Sequence, residues 1–328
     1  MIIFLWILGS LLASGLLLWI VSLFVASYLI YTKTLRKKDA DTWSRQMPVD
    51  LDPQQVPMYK AGLAWAQANQ AYKKDVHIVR DGLNLYGEYY DFGHTRCAMI
   101  LSGRTESLIY GYYFAISYAE SDCNILVVDP RGHGLSDGSF NTVGFEESQD
   151  DIAWIQYIRD TYGVESFILH GICIGAAGGI LALSSSDCPD CICGIVTEGM
   201  FANFKESVKN HMIEKKKPTL FTLDLVDCWM KHFTGHSMKR GPLDVIHNVR
   251  TPLLMLHSKE DRYSTPQYAE KLFAASGAAQ KKLVWFEHGR HSMLRITDTN
   301  LYDTSIKNFI AEITAEEKYI EKENVYVL

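Results

Sequence analysis

The sequence predicts an α/β protein: a mostly parallel sheet with helices on both faces, preceded by one long apolar helix and interrupted by a helical insertion. Three observations carry that expectation. Between residues 75 and 314, short apolar runs of strand length alternate with segments of helical periodicity. One run, 166–170, leads into Gly171-Ile172-Cys173-Ile174-Gly175 and a small-residue helical stretch, 176–183, so strand, sharp turn and helix follow one another. Residues 1–31 carry no charged side chain.

That uncharged run comes first in the chain. At 1.5 Å per residue it makes about 46 Å of helix against roughly 30 Å of hydrocarbon, so it is long enough to span a bilayer. A cleaved signal peptide has a basic start and a shorter apolar region, and neither is present here. Charges follow as Lys33, Arg36, Lys37 and Lys38, and the positive-inside rule then puts the next domain in the cytoplasm. Trp6, Trp19, Tyr28 and Tyr31 are of the type that anchors at interfaces. Residues 32–74 read as a basic juxtamembrane and connector segment, containing Trp43, Tyr59, Trp65 and Tyr72, with helical spacing near 61–71.

Residues 76–79 and 83–89, separated by Asp81-Gly82, read as a hairpin. Apolar strands are expected at 97–101, 124–129, 166–171, 192–197, 253–257 and 283–286. Helices are expected at 108–120, 145–162, 174–184, 266–275 and 301–313. Between 200 and 249 the pattern breaks at Lys215-Lys216-Lys217-Pro218, and Phe221, Leu225, Trp229 and Phe233 recur at helical spacing. An apolar helix face there either packs on the core or meets an acyl chain. The domain organisation is therefore a transmembrane anchor over 1–31, a connector over 32–74, the α/β domain over 75–314 with its insertion at about 200–249, and a charged tail over 315–328.

Composition narrows the partners. At 328 residues, 48% hydrophobic and 21% charged, the chain can bury a large core. A net charge of −6 gives no reason to expect nucleic acid. Seven cysteines, an odd number scattered through a large chain, suggest a reducing compartment. Cys188, Cys191 and Cys193 lie close together but lack a fourth ligand nearby, so neither a metal nor a cofactor is expected.

In α/β sheets ligands bind outside the carboxyl ends of the strands, so chemistry is sought there. The apex of a strand-turn-helix forces its residue into a strained backbone, and the glycines two positions to either side, Gly171 and Gly175, let strand and helix pack around it. Cys173 then stands exposed at the sheet edge, with the Ile174 N–H at a helix N-terminus facing any oxyanion formed there. The other strand ends carry Leu101-Ser102-Gly103-Arg104-Thr105-Glu106-Ser107, Asp129-Pro130-Arg131-Gly132-His133-Gly134-Leu135-Ser136, Ser258-Lys259-Glu260-Asp261-Arg262 and His288-Gly289-Arg290-His291-Ser292.

These five motifs, in this order, resemble the α/β-hydrolase fold, and within it the branch of bacterial lysophospholipases and monoacylglycerol lipases. The resemblance runs from about residue 76 to 314. It implies Cys173 as nucleophile, His291 as base, Asp261 as the acid that orients it, and the backbone N–H groups of Arg104 and Ile174 as the oxyanion hole. The insertion at 200–249 sits where that family places a cap. Glu198, after the next strand, is a rival acid, and His288 a rival base. Asp129, Arg131 and His133 are read as turn braces and His170 as a packed strand-end histidine. The departure from the family is sulfur where most members carry serine oxygen. A thiolate leaves more readily than an amine, so esters and thioesters are favoured over amides. The expected function is a membrane-anchored hydrolase that cleaves a small-molecule or lipid ester, lysophospholipid or monoacylglycerol-like substrates included, through an acyl-enzyme. The competing expectation is an inactive, membrane-tethered binding or scaffolding protein that keeps the fold.

Overall fold

The computed structural model describes residues 1–36, 53–118 and 120–326, with side chains described as far as residue 316. Lys37, Lys38, Trp43 and the connector up to residue 52 lie outside the described residues. The strands are β1 (Lys73–Arg80), β2 (Leu83–Tyr90), β3 (Arg96–Leu101), β4 (Cys123–Val128), β5 (Ser166–Ile172), β6 (Ile192–Glu198), β7 (Leu253–Ser258) and β8 (Lys281–Phe286). They form one sheet in the order β1-β2-β4-β3-β5-β6-β7-β8. β1 and β2 pair as a hairpin from Lys73 opposite Tyr90 to Arg80 opposite Leu83. Its two-residue turn has Asp81 at φ 53° and Gly82 at φ 77°, the double positive φ that matches strand twist. β2 also runs antiparallel to β4, and β3 to β8 are mutually parallel.

The central strands are apolar without alternation because both of their faces are covered. In β3, Ala98 and Ile100 enter one core while Cys97, Met99 and Leu101 enter the other; β4 divides the same way, Ile125 and Val127 against Leu126 and Val128. Two side-chain layers thus sandwich the sheet. The helices over them are α1 (Ile2–Leu35), α2 (Val56–Ala68), α3 (Leu108–Ala115), α4 (Phe145–Tyr162), α5 (Ile174–Leu183), α6 (Phe204–Glu214), α7 (Thr222–Thr234), α8 (Pro242–Val245), α9 (Pro266–Ala275), α10 (Leu294–Thr297) and α11 (Thr299–Tyr326).

Helix α1 is long and apolar enough to cross a membrane, by length and composition. Residues 2–22 are exposed throughout, about 31 Å of helix. Its last turns are not free. Ser27, Tyr31 and Leu35 are fully buried, and Tyr31 and Leu35 join a third core with Ile174, Phe201, Phe204 and Leu223. The stripe Phe221, Leu225, Trp229 and Phe233 does not face the sheet. Trp229 meets Phe24 and Tyr28 at ring-centroid distances of 4.6 and 5.0 Å, Phe233 stacks on Tyr31 at 5.5 Å, and Phe221 touches Trp19 edge-on at 6.5 Å. Leu223, Val226 and Met230 are the apolar α7 residues that turn inward. The helical spacing was legible, but its partner is the far-off first helix.

Candidate active site

The strand order turns back at β3: the chain goes to β4 on one side, then crosses to β5 on the other. The crevice outside the carboxyl ends of β3 and β5 is where such sheets bind ligands. The elbow follows β5. Cys173 sits at φ 53°, ψ −106°, a conformation rare for a residue with a side chain. Its N–H donates to the Glu198 carbonyl at 2.9 Å, and its carbonyl accepts from Ala177 at 3.2 Å, so the apex is tied to β6 and to α5. The two glycines are required by close approach. A Cβ on Gly171 would lie 2.4 Å from the Ala176 backbone, and one on Gly175 2.0 Å from the Leu101 carbonyl oxygen.

His291 follows β8, and its Nδ1 lies 2.7 Å from Asp261 Oδ2. Its other ring nitrogen is left for the Cys173 sulfur, which lines the same cavity and helps to raise the imidazole pKa. Burial pulls the imidazole pKa down, but the Asp261 carboxylate and the Cys173 sulfur outweigh it and hold His291 well above the ordinary histidine range. Asp261 answers in kind. Burial pushes its carboxyl up, and the charge and hydrogen bond of His291 win, leaving it below the usual value. Asp261 is also a turn residue, since Oδ1 accepts the N–H groups of Tyr263 and Ser264 at 2.8 and 2.9 Å. One oxygen shapes the loop and the other faces the imidazole.

The rivals are occupied elsewhere. Glu198 accepts from the Leu294 N–H at 3.0 Å and from the Tyr302 hydroxyl at 2.6 Å, bracing the chain just after His291. His288 is exposed and lies 3.1 Å from Glu260. His170 is buried between the hydroxyls of Tyr118 and Tyr302, at 3.0 and 2.9 Å, and burial lowers its pKa to about 3.

The turn after β3 supplies Arg104, held from three sides. His133 Nε2 donates to its carbonyl at 2.7 Å, its guanidinium donates to the Thr34 carbonyl of α1 at 2.9 Å, and its neighbour Gly103 packs against Glu106. His133 in turn rests on the brace loop. Arg131 makes a two-pronged contact with Asp150 at 2.7 and 2.6 Å, while Asp129 accepts the N–H groups of Leu108 and Leu135 at 2.8 and 2.9 Å. Ile174 opens α5, its N–H at the helix N-terminus beside the cysteine.

Cys173 and His291 line a cavity of about 340 Å³. Two features of it were missed at the sequence level. The first is Glu106, whose buried Oε2 has no hydrogen-bond partner among the described residues. Burial pushes its carboxyl up to about 7, against the Gly103 N–H, His291 and Arg104, which pull the other way. The second is the wall. It is built by α6, through Phe204, Val208 and Met212, and by Ile30, Lys33 and Thr34 of α1, not by α7.

Comparison with known proteins bears on the class. A family model described as serine aminopeptidase, S33, matches residues 234–298, the segment that carries Asp261 and His291. An uncharacterized Bacillus subtilis protein, YqkD, is 25% identical over 215 residues, 65% of this chain and 70% of its own length. Among solved structures, an esterase of Pyrococcus furiosus aligns with a TM-score of 0.64 at 20% identity, covering 75% of this chain and 93% of that one. An esterase from Exiguobacterium antarcticum aligns with a TM-score of 0.54 at 14% identity, covering 73% and 100%. The protein has the α/β-hydrolase fold, with an added N-terminal helix and a helical cap.

Proposed function

We propose that this protein is a membrane-anchored α/β-fold hydrolase that uses Cys173, His291 and Asp261 to cleave a carboxylic ester or thioester. The observation that carries the reading is a cysteine on a strained elbow, sharing a cavity with an imidazole whose Nδ1 lies 2.7 Å from a buried carboxylate. A nucleophile, a base and a group that fixes the base's tautomer form a working relay.

In that relay the Cys173 sulfur attacks the acyl carbon, and the N–H groups of Arg104 and Ile174 receive the oxyanion. The carbon–oxygen or carbon–sulfur bond breaks, and the proton held by His291 goes to the departing alcohol or thiol. Water then gives a proton to His291 and its oxygen to the acyl carbon, releasing the acid and returning the thiol. Asp261 stabilises the imidazolium throughout. An amide is a poor substrate, because the thiolate leaves from the tetrahedral intermediate before the amine. The likeness to esterases of known structure and the family-model match support this reading.

The anchor is α1, whose exposed length of about 31 Å matches the roughly 30 Å hydrocarbon core. Its end walls the cavity, so the substrate is a lipid-like ester that reaches the pocket along that helix. The test is turnover by the purified full chain in nanodiscs, with nitrophenyl esters and acyl thioesters. Hydrolysis that is lost by several powers of ten in Cys173→Ala is expected. No turnover by the unaltered protein overturns the reading and leaves the tethered binding protein in its place.

A further inference from the structure

Nucleophile and base do not leave neighbouring strands. Cys173 follows β5 and His291 follows β8, three places further along the sheet, so strand spacing alone would set them about 14 Å apart. The turn after β8 has to lean back over β7 and β6 before the imidazole reaches the cavity that Cys173 lines. β6 stands between the strand of the nucleophile and the strand of the acid, and it contributes none of the three relay residues. Its carboxyl end is nevertheless where they meet.

Glu198, the last residue of β6, acts there through both main chain and side chain. Its carbonyl accepts the Cys173 N–H at 2.9 Å, which fixes the strained apex to it. Its carboxylate accepts the Leu294 N–H at 3.0 Å, three residues beyond His291. The next residue, Gly199, is at φ 60°, and a Cβ on it would lie 3.1 Å from the His291 ring. The imidazole therefore rests on bare backbone at the end of β6.

The lean is under strain. Ser292 has a φ of 59°, a conformation that a residue with a side chain keeps only where its surroundings impose it. The Tyr110 hydroxyl donates to the Ser292 carbonyl at 2.6 Å, and Glu198 holds Leu294 on the other side. The carboxylate itself cannot swing. Its second oxygen accepts from the Tyr302 hydroxyl at 2.6 Å, and that hydroxyl lies 2.9 Å from His170, whose other ring nitrogen is 3.0 Å from Tyr118. All four side chains are fully buried. What Glu198 supplies is an acceptor aimed, from a clamped position, at the turn that carries the base.

We propose that Glu198 is a positioning residue for the catalytic pair, setting the imidazole of His291 against the sulfur of Cys173 by holding the elbow with its carbonyl and the turn after the base with its carboxylate. It touches neither the substrate nor the reacting atoms. This deepens the hydrolase reading and rests on it for the word catalytic. A misplacement of 1 Å can lower a rate about a hundredfold, which sets the size of effect to look for.

The test uses the full chain in nanodiscs, with turnover of a nitrophenyl ester measured beside the rate at which iodoacetamide alkylates Cys173. Glu198→Ala is expected to lower kcat about a hundredfold while KM stays within about twofold, and to slow alkylation of Cys173 toward its rate in His291→Ala. Glu198→Gln, whose amide oxygen still accepts from Leu294, recovers most of both. Buried Cys97 and Cys123 staying unreactive in the same samples shows that the variants are folded. Should Glu198→Ala expose them, Glu198→Asp, one methylene short of Leu294, takes its place with the same expectations. Unchanged kcat and alkylation in the shortened variant overturn the proposal. So does Glu198→Gln as slow as the shortened variant, and so does a fall in kcat matched by an equal rise in KM, which a general loosening of the cavity produces. If the unaltered protein turns over no ester, the hydrolase reading has failed and alkylation alone decides. Slowing in the shortened variant with recovery in Glu198→Gln then keeps Glu198 as the residue that sets the pair, and equal rates remove it.

Discussion

Cys173 and Glu106 share a cavity and place opposite demands on it. The cysteine is held next to His291, whose positive form is favoured by Asp261. The imidazole can take the thiol proton as the sulfur attacks, so iodoacetamide is expected to modify Cys173 faster than the other cysteines, with activity lost in step. His291→Ala should slow that reaction while leaving the buried Cys97 and Cys123 as inert as before. Mass spectrometry of timed alkylation reads both, and a rate indifferent to His291 would count against the pair. Glu106 is a carboxyl raised from 4.5 to about 7 by burial. A raised carboxyl contributes stability that is complete below its unfolded value and is lost as pH rises through the folded one. Glu106→Gln cannot ionise, so its Tm should match the unaltered protein near pH 4 and exceed it by pH 8. A gap that stays constant over that range would mean the carboxyl is not strained by ionisation. Nothing in the sequence marked Glu106, because its burial depends on α1 and α6 closing over a loop more than sixty residues from either.

At the scale of elements, most of what positions the site was legible, and for identifiable reasons. Strands buried on both faces leave continuous apolar runs, and the elbow leaves two glycines whose replacement would collide with backbone. The order of motifs along the chain carried the placement of Cys173, Asp261 and His291 at the carboxyl ends of β5, β7 and β8. What was not legible was which surface each amphipathic helix covers. The aromatic stripe on α7 looks the same in sequence whether it faces core, ligand or another helix, and here it holds α1. Trp229 is central to that contact, with Phe24 and Tyr28 against its ring and its Nε1 donating to Ser27 Oγ at 3.1 Å. Trp229→Ala is expected to cost about 2 kcal/mol, less than a fully buried tryptophan because the ring is only half-buried. Since the end of α1 walls the cavity and accepts from Arg104, the same change should raise KM more than it lowers kcat. Thermal melts and steady-state kinetics of the full chain check this, and an unchanged KM would reduce α1 to a tether.

For the whole molecule, the packing of α1 on α7 and its contact with Arg104 join the proposed anchor to the proposed catalytic domain, so the side of the membrane on which that domain lies would fix where its substrate comes from. Positive charge at Lys33 and Arg36, immediately beyond the apolar stretch, argues for the cytoplasmic side. Cys228 offers a direct reading, because it is exposed and lies on α7, away from the cavity. A membrane-impermeant maleimide applied to intact cells should leave the protein unlabelled, and the same reagent after permeabilisation should label it. Cys228→Ser should remove most of the label gained on permeabilisation, which identifies the site. Labelling of Cys228 in intact cells would put the domain outside, and its substrate would then come from that side of the membrane.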